Sequence, residues 1–189
     1  MALFRKSLCL AALVCAATAS VALAATISGT NGADTIVGTT ANDTINAKAG
    51  NDRVWGLKGN DTINAGDGND IVNGDGTCRA GSAGTPGYCD SGETKQDGKD
   101  RDGNDIILGG DGNDTLYGQG GFDGISGGEG NDTIDGGSGI DAISGGPGDD
   151  TINVKDGKPF DLVSCGSGND TVHRDPGDII ARDCEHVGP

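Results

Sequence analysis

The chain has 189 residues, 37 of them glycine, and a formal net charge of -16 at pH 7. It contains only one Trp, three Phe, two Tyr and one Met, which is too few large apolar residues for a conventional globular core. The negative charge excludes nucleic acid and anionic membrane surfaces as natural partners, because their phosphate groups would repel the chain. Cations are the expected counterpart.

The first 24 residues have the features of a secretory signal peptide. Arg5 and Lys6 precede the apolar run Leu8 to Ala17, and Ala22 to Ala24 supply the small residues of a cleavage site. We therefore expect residues 1–24 to be removed and the remainder to be secreted. The alternative is a membrane anchor, but the apolar run is short for a membrane span, so no membrane insertion is expected.

Four cysteines lie beyond this segment: Cys78, Cys89, Cys165 and Cys184. An even number in an exported chain indicates two disulfides, and four cysteines allow three pairings. We favour Cys78 with Cys89 and Cys165 with Cys184, because each pair closes a short loop. The alternative, a zinc site, has no C-x-x-C sequence to support it.

Aspartate recurs every nine residues over most of the chain. A glycine usually lies two residues before each aspartate, and an aliphatic residue always lies two residues after it. Self-similarity at a fixed short period is typical of stacked repeat architectures. The aspartates form three series with this period: Asp34, Asp43, Asp52, Asp61 and Asp70; Asp105, Asp114, Asp123, Asp132, Asp141 and Asp150; and Asp161 and Asp170.

A unit of nine residues cannot bury anything alone, so the repeats must stack. If each repeat forms half a coil, residues eighteen apart lie above one another at the strand spacing of about 4.8 Å. The aliphatic residues then form two inward columns, and the aspartates form two rows at the outer edges. Stacked carboxylates repel each other, which requires a cation between them. An all-oxygen shell of carboxylates and turn carbonyls suits Ca²⁺ better than Mg²⁺, which demands a stricter geometry.

The best-formed repeats carry a recognisable motif. Gly109 to Tyr117 reads GGDGNDTLY, which matches G-G-x-G-x-D-x-U-x, where U is aliphatic, and three in-phase copies run from Gly127 to Asn153. The chain thus resembles the RTX (haemolysin-type) calcium-binding nonapeptide repeat proteins over nearly all of its exported length. This resemblance implies an all-β fold, a parallel β-roll that forms a right-handed solenoid. It also implies several calcium ions, each lying between one turn and the turn two repeats on.

The resemblance further implies that aspartates and turn glycines hold the ions. The strongest candidates are the aspartates of the second series, followed by four of the first series. The stretch Val154 to Ser164 is two residues longer than the period, and no ion is assigned to it. The candidate metal residues are Asp43, Asp52, Asp61, Asp70, Asp105, Asp114, Asp123, Asp132, Asp141 and Asp150, with Gly110, Gly112, Gly128, Gly130, Gly137, Gly139, Gly146 and Gly148.

Breaks in the period divide the exported chain. The pattern is lost after residue 73, and the segment that follows contains two cysteines, so we interpret it as an insertion pinned by a disulfide. It is either a tolerated surface insertion or a recognition loop. The tail, tied back by Cys165 and Cys184, is expected to cap the last coil. The predicted units are N-terminal repeats at 25–73, the insertion at 74–99, the main repeats at 100–173 and the cap at 174–189.

No catalytic motif or paired acid and base is evident, so an enzyme is not expected. The leading hypothesis is a secreted calcium-binding protein that folds when it binds the ion. The alternative is a calcium-dependent adhesive module that binds an extracellular glycan or another surface. Threonines that follow the aspartates favour the adhesive hypothesis, although their rows are interrupted at Arg53, Ile71, Ile106, Gly124 and Ala142.

Overall fold

A computed structural model describes residues 23–75 and 103–189. Most of the predicted signal peptide, all of the insertion except Gly74 and Asp75, and the predicted Cys78–Cys89 disulfide lie outside these ranges. Within them the regular structure consists of short strands and no helix, which confirms the all-β prediction. Accordingly, the described residues contain no helix that is long and apolar enough to cross a membrane.

The strands form two eight-stranded parallel sheets and one small sheet. Sheet A has the order β1-β3-β5-β7-β10-β13-β15-β17, sheet B has the order β2-β4-β6-β8-β11-β14-β16-β18, and β9 pairs with β12. Successive strands along the chain thus alternate between two walls of one roll. The strands are β1 (Thr26–Ser28), β2 (Thr35–Val37), β3 (Thr44–Asn46), β4 (Arg53–Trp55), β5 (Thr62–Asp67), β6 (Ile71–Asn73), β7 (Ile106–Asp111), β8 (Thr115–Tyr117), β9 (Gly120–Gly121), β10 (Gly124–Glu129), β11 (Thr133–Asp135), β12 (Ser138–Gly139), β13 (Ala142–Pro147), β14 (Thr151–Asn153), β15 (Leu162–Ser167), β16 (Thr171–His173), β17 (Ile179–Ile180) and β18 (His186–Gly188).

The strand register confirms that one repeat makes half a coil. Thr26 of β1 pairs with Thr44 of β3, eighteen residues on, and the same offset joins most later pairs. Where β5 meets β7, Thr62 pairs with Ile106, so the stacking continues in register across the predicted insertion. The chain therefore forms a parallel β-solenoid of about eight coils, consistent with a β-roll.

The core is two thin columns of aliphatic side chains, one behind each sheet. Each three-residue strand such as β3 or β11 buries only its central residue, because its two neighbours lie on the outer face. All thirteen residues that the period places inside are buried: Ile36, Ile45, Val54, Ile63, Val72, Ile107, Leu116, Ile125, Ile134, Ile143, Ile152, Val163 and Val172.

Glycine in the turns lets neighbouring coils approach closely. Gly112 has φ +134°, and a Cβ at this position would overlap the carbonyl oxygen of Gly68 in the preceding coil. A larger residue would be strained and would also force the coils apart. The same left-handed conformation holds for all eight candidate glycines: Gly110, Gly112, Gly128, Gly130, Gly137, Gly139, Gly146 and Gly148.

The C-terminal tail forms the last coil. Its strands β17 and β18 pair with β15 and β16, so the tail lengthens both sheets. A disulfide joins Cys165 of β15 to Cys184, with 5.2 Å between their Cα atoms, which confirms the predicted pair. The Cys165 side chain is fully buried at the end of the core, so this bond ties the tail directly to the penultimate coil.

Candidate metal centre

The ten candidate aspartates lie in two columns, one before the strands of each sheet. The expectation that these rows face outward is wrong, because none of the ten is more than 3% exposed. The carboxylates point into the roll, where water cannot compensate their charge. One column contains Asp43, Asp61, Asp105, Asp123 and Asp141, and the other contains Asp52, Asp70, Asp114, Asp132 and Asp150.

Within each column the aspartates are linked by a ladder of hydrogen bonds. The backbone N–H of Asp114 donates to Oδ1 of Asp132 at 2.8 Å, and the N–H of Asp132 donates to Oδ1 of Asp150 at 2.9 Å. The ladder also crosses the predicted insertion, since the N–H of Asp70 donates to Oδ1 of Asp114 at 2.8 Å. Each carboxylate therefore holds the coil that precedes it. We call these two rows the aspartate ladders.

The second carboxylate oxygen has no such partner in much of the ladders. A buried carboxylate oxygen without a hydrogen bond carries a large desolvation penalty. The repetition of this feature in register is the strongest sign that these oxygens can bind a cation. Among the described residues, Oδ2 is buried and accepts no hydrogen bond in Asp52, Asp61, Asp70, Asp114, Asp132, Asp150 and Asp170.

These oxygens face backbone carbonyls of the adjacent coil. A Cβ placed on Gly145 would strike both Oδ2 of Asp150 and the carbonyl oxygen of Cys165. A Cβ placed on Gly127 would likewise strike Oδ2 of Asp132 and the carbonyl oxygen of Gly145. The first glycine of the repeat thus leaves a cradle in which a carboxylate oxygen and a carbonyl oxygen converge.

Burial makes these carboxyl groups reluctant to ionise. Desolvation is the largest cause and raises the pKa of Asp61 and of Asp114 to about 7, with a smaller contribution from neighbouring carboxylates in the same column. The same main cause raises the pKa of Asp141 and Asp150 to about 6. The hydrogen bonds from the ladder lower these pKa values but do not offset burial.

In the first coil, threonines donate hydrogen bonds to the carboxylate oxygens of the aspartates. Thr39 occupies the second position of its repeat, where glycine is usual, and donates its backbone N–H to Oδ2 of Asp43 and its hydroxyl to Oδ1. Thr30 donates its backbone N–H and hydroxyl to Oδ2 of Asp34 in the same way. Asp43 was a candidate ligand, but the structure gives both of its oxygens protein donors, whereas Oδ2 of Asp61 in the next coil has none.

Two further aspartates belong to the ladders although they are not among the candidates. Asp161 and Asp170 are buried and accept the backbone N–H groups of Asp141 and Asp150, each at 2.8 Å. Their signal was already in the sequence, because each is followed two residues later by a valine that is buried. The two extra residues before Asp161 do not disturb its place in the column, so the irregular repeat still contributes to the site.

Comparison with known families agrees with this geometry. The model of the RTX calcium-binding nonapeptide repeat matches four times, at residues 28–62, 47–76, 99–125 and 126–158, and these matches cover more than half of the chain. The chain belongs to the RTX calcium-binding repeat family. The nonapeptide of this family binds calcium. No curated protein matches the chain.

The donor set fits the calcium ion of the RTX family. Carboxylate and carbonyl oxygens are hard ligands, and Ca²⁺ accepts six to eight of them in a flexible arrangement. No three carboxylate, imidazole or thiol side chains in the described ranges converge on one point. At the turns of this RTX roll, carboxylate and backbone carbonyl oxygens converge, and both are ligands that Ca²⁺ accepts.

Replacing Asp150 by asparagine tests the role of its charge. Asp150→Asn keeps an oxygen that can accept the N–H of Asp132 but removes the buried charge. We expect at least one bound calcium ion to be lost and the calcium concentration at the folding midpoint to rise on the order of tenfold. Native mass spectrometry and a calcium titration followed by circular dichroism measure the two effects.

The neighbouring residue supplies a matched control. Asp149→Asn makes the same chemical change one residue away, at a position where Asp149 accepts a hydrogen bond from Asn169 and donates one to Asn131. Asparagine preserves this bonding, so the control is expected to keep the ion count and the midpoint within about twofold. Equal effects of the two substitutions would show that general charge, and not the ladder, governs binding.

The raised pKa values predict an unusual pH dependence of the calcium-free protein. Folding raises the pKa of Asp61, Asp114, Asp141 and Asp150 from 3.8 to about 6 or 7, so the folded state binds protons more tightly than the unfolded state. Their protonation stabilises the coils fully below pH 3.8, and this contribution disappears as the pH rises through 6 to 7. Metal-free protein is expected to gain β-structure between pH 8 and pH 5 in circular dichroism, whereas a loss of structure on acidification would contradict the prediction.

Proposed function

We propose that this protein is a secreted calcium-binding β-roll that folds when it binds calcium and acts as a structural or binding module without catalysis. The observation that carries the proposal is the row of buried Oδ2 atoms, repeated coil after coil without a hydrogen-bond partner. The signal-like residues 1–24 support secretion. They also support delivery to an environment where calcium is plentiful.

We further propose that the ions lie along the two aspartate ladders, held by the candidate aspartates and by carbonyl oxygens of the turns. The cradle between Asp132 and the carbonyl of Gly145 supports this assignment. Asp161 and Asp170 join the proposed ligands because they continue the columns. Asp43 ranks below the others because Thr39 already supplies donors to both of its oxygens.

The coupling of binding to folding has a simple physical basis. The stacked coils concentrate carboxylates in a chain whose net charge is already -16, and the thin core has little free energy to oppose the backbone entropy of 37 glycines. A ligand that binds only the folded state stabilises it in proportion to the logarithm of its concentration. Calcium therefore supplies the countercharge and a large part of the stability of the roll.

A calcium titration of the mature chain tests this function. Starting from metal-free protein at pH 7.5, a pH chosen above the raised pKa values, calcium is expected to produce a cooperative gain of β-structure in circular dichroism, and chelator is expected to reverse it. Magnesium at the same concentrations is the control. It should produce little change, because Mg²⁺ requires a nearly octahedral set of ligands and gives up its water molecules reluctantly. A spectrum that is folded before calcium is added would refute the proposal.

A calcium-dependent adhesive module is the second candidate, and the outer face of sheet B favours it. The interruptions at Ile106, Gly124 and Ala142 all lie in sheet A. In sheet B an unbroken row remains on four successive coils, formed by Thr115, Thr133, Thr151 and Thr171. Such a regular row of hydroxyl groups suits a repetitive polar surface such as an extracellular glycan.

Co-sedimentation with insoluble cell-wall polysaccharide tests the adhesive candidate. Wild-type protein is expected to bind in calcium and to be released by chelator. The double variant Thr133→Val and Thr151→Val removes two hydroxyl groups of the row and is expected to lower binding at least about fivefold, because each lost hydrogen bond costs roughly 1 kcal/mol. Thr44→Val with Thr62→Val on sheet A is the matched control, and equal losses in the two variants would contradict the assignment to sheet B.

A further inference from the structure

Large apolar side chains are exposed on one side of the later coils. Their exposed fractions run from 43% to 60%, in a chain that has few such residues to place. All of them belong to strands of sheet A or to the residues just before those strands. We call this surface the apolar face; it consists of Ile106, Leu108, Phe122, Ile140, Phe160, Leu162 and Ile179.

The apolar face is not a by-product of the repeat. In the earlier coils of sheet A the equivalent outer positions are polar: Thr44 and Asn46 in β3, and Thr62 and Asn64 in β5. The register places Ile106 and Leu108 directly beside Thr62 and Asn64. The surface of one sheet thus changes from polar to apolar between adjacent strands. A contiguous exposed patch of this kind marks an interaction site more often than a neutral surface.

A groove runs through the apolar face. It is shallow and open to solvent, with a volume of about 550 Å³. Its floor is formed by small residues of β10 and β13, including Gly124 and Ala142, while Ile106 and Leu108 on one side and Leu162 on the other form its walls. No residue that lines the groove is charged, although the chain carries 29 acidic residues.

Neither the backbone conformation nor the available space requires glycine at position 124. Most glycines of the coils have a left-handed backbone, or a neighbouring oxygen that a Cβ would strike. A Cβ on Gly124 would find nothing nearer than the carbonyl oxygen of Asp105, at 3.9 Å, and its backbone is ordinary. The neighbouring strands carry Ile106 and Ala142 at this position. Glycine inside a strand weakens the sheet and often marks a place where another molecule approaches closely.

Carboxylates lie beyond the groove, at the ends of strands whose earlier residues line it. Asp67, Asp111 and Glu129 end the strands β5, β7 and β10, stand side by side in register and are exposed. None of the three forms an ion pair with another residue of the described ranges. An occupant that matches both features has an apolar side for the groove and positive charges for this acidic rim.

A second copy of the chain does not match these features. Each copy has a net charge of -16, so two like rims would repel each other. The apolar face spans about four strand spacings by five residues, roughly 300 Å². A stable protein dimer needs about 800 Å² from each partner. A short segment of another protein is compatible with the smaller area.

We propose that the groove over Gly124 and Ala142 is a docking site for a basic amphipathic segment of a partner protein. The apolar side of the segment packs between the walls formed by Leu108 and Leu162, and its lysine or arginine side chains pair with the acidic rim. The site rests on the calcium-dependent fold proposed above, because its walls come from strands that meet only when the coils are stacked.

The first test measures binding of a synthetic amphipathic helix of leucine and lysine to the calcium-loaded full chain. The labelled peptide is followed by fluorescence anisotropy at about 150 mM salt, where long-range attraction is screened. Gly124→Leu fills the floor and is expected to weaken binding at least tenfold. Thr35→Leu adds the same side chain to the outer face of sheet B and is expected to leave the affinity within twofold. Equal affinity for both variants would overturn the proposal, because binding would then reflect charge alone.

Two further measurements separate the groove from the fold and from other occupants. Circular dichroism in calcium reports coil formation independently, and Gly124→Leu is expected to fold, since Leu162 occupies the equivalent position two strands away. Leu162→Ser removes a wall without filling the floor and is expected to weaken binding about tenfold as well. Binding of neutral dodecyl maltoside without binding of the peptide, or a dimer abolished by Gly124→Leu, would each overturn the proposal. If calcium does not change the circular dichroism spectrum of the wild type, the calcium-dependent fold is refuted instead.

Discussion

The structure depends on one contact, the hydrogen bond from the backbone N–H of one aspartate to the carboxylate of the aspartate a coil later. This bond links successive coils and holds the carboxylate inside the roll, where its other oxygen is buried as well. Charge that is buried in this way must be neutralised. The glycine cradles and turn carbonyls suit that requirement, and a calcium ion of the kind that the RTX nonapeptide binds would supply the charge.

The aliphatic columns and the aspartate ladders have different tasks. Each coil buries one branched side chain behind each sheet, and this establishes which residues face inward. Such a core cannot by itself offset the entropy of glycine-rich turns, because stability grows with the apolar area that is buried. The ladders add hydrogen bonds within the turns, which the short strands do not reach. Hydrogen bonding between coils therefore extends from the two sheets into the turns at both edges of the roll.

Periodicity predicts most of this fold, because every ninth residue occupies an equivalent position in a half-coil. The half-coil stacking, the buried column from Ile36 to Val172 and the Cys165–Cys184 bond could all be predicted from spacing alone. The burial of the aspartates could not, since a period locates a side chain along the chain but not its direction within a turn. The donors supplied by Thr39 and the groove above Gly124 also escaped prediction, because both depend on positions that vary between repeats.

The direction of the ladder gives the roll two chemically different ends. Every amide points toward a later coil, and at the last coil Asp178 and Glu185 provide the final acceptors for Asp161 and Asp170. Two rolls that continued the ladder across a junction would have to meet head to tail, since like ends offer the same kind of group. Junctions of that type do not close into pairs but extend into filaments. The polarity of a single hydrogen bond thus sets the symmetry of any assembly along the axis.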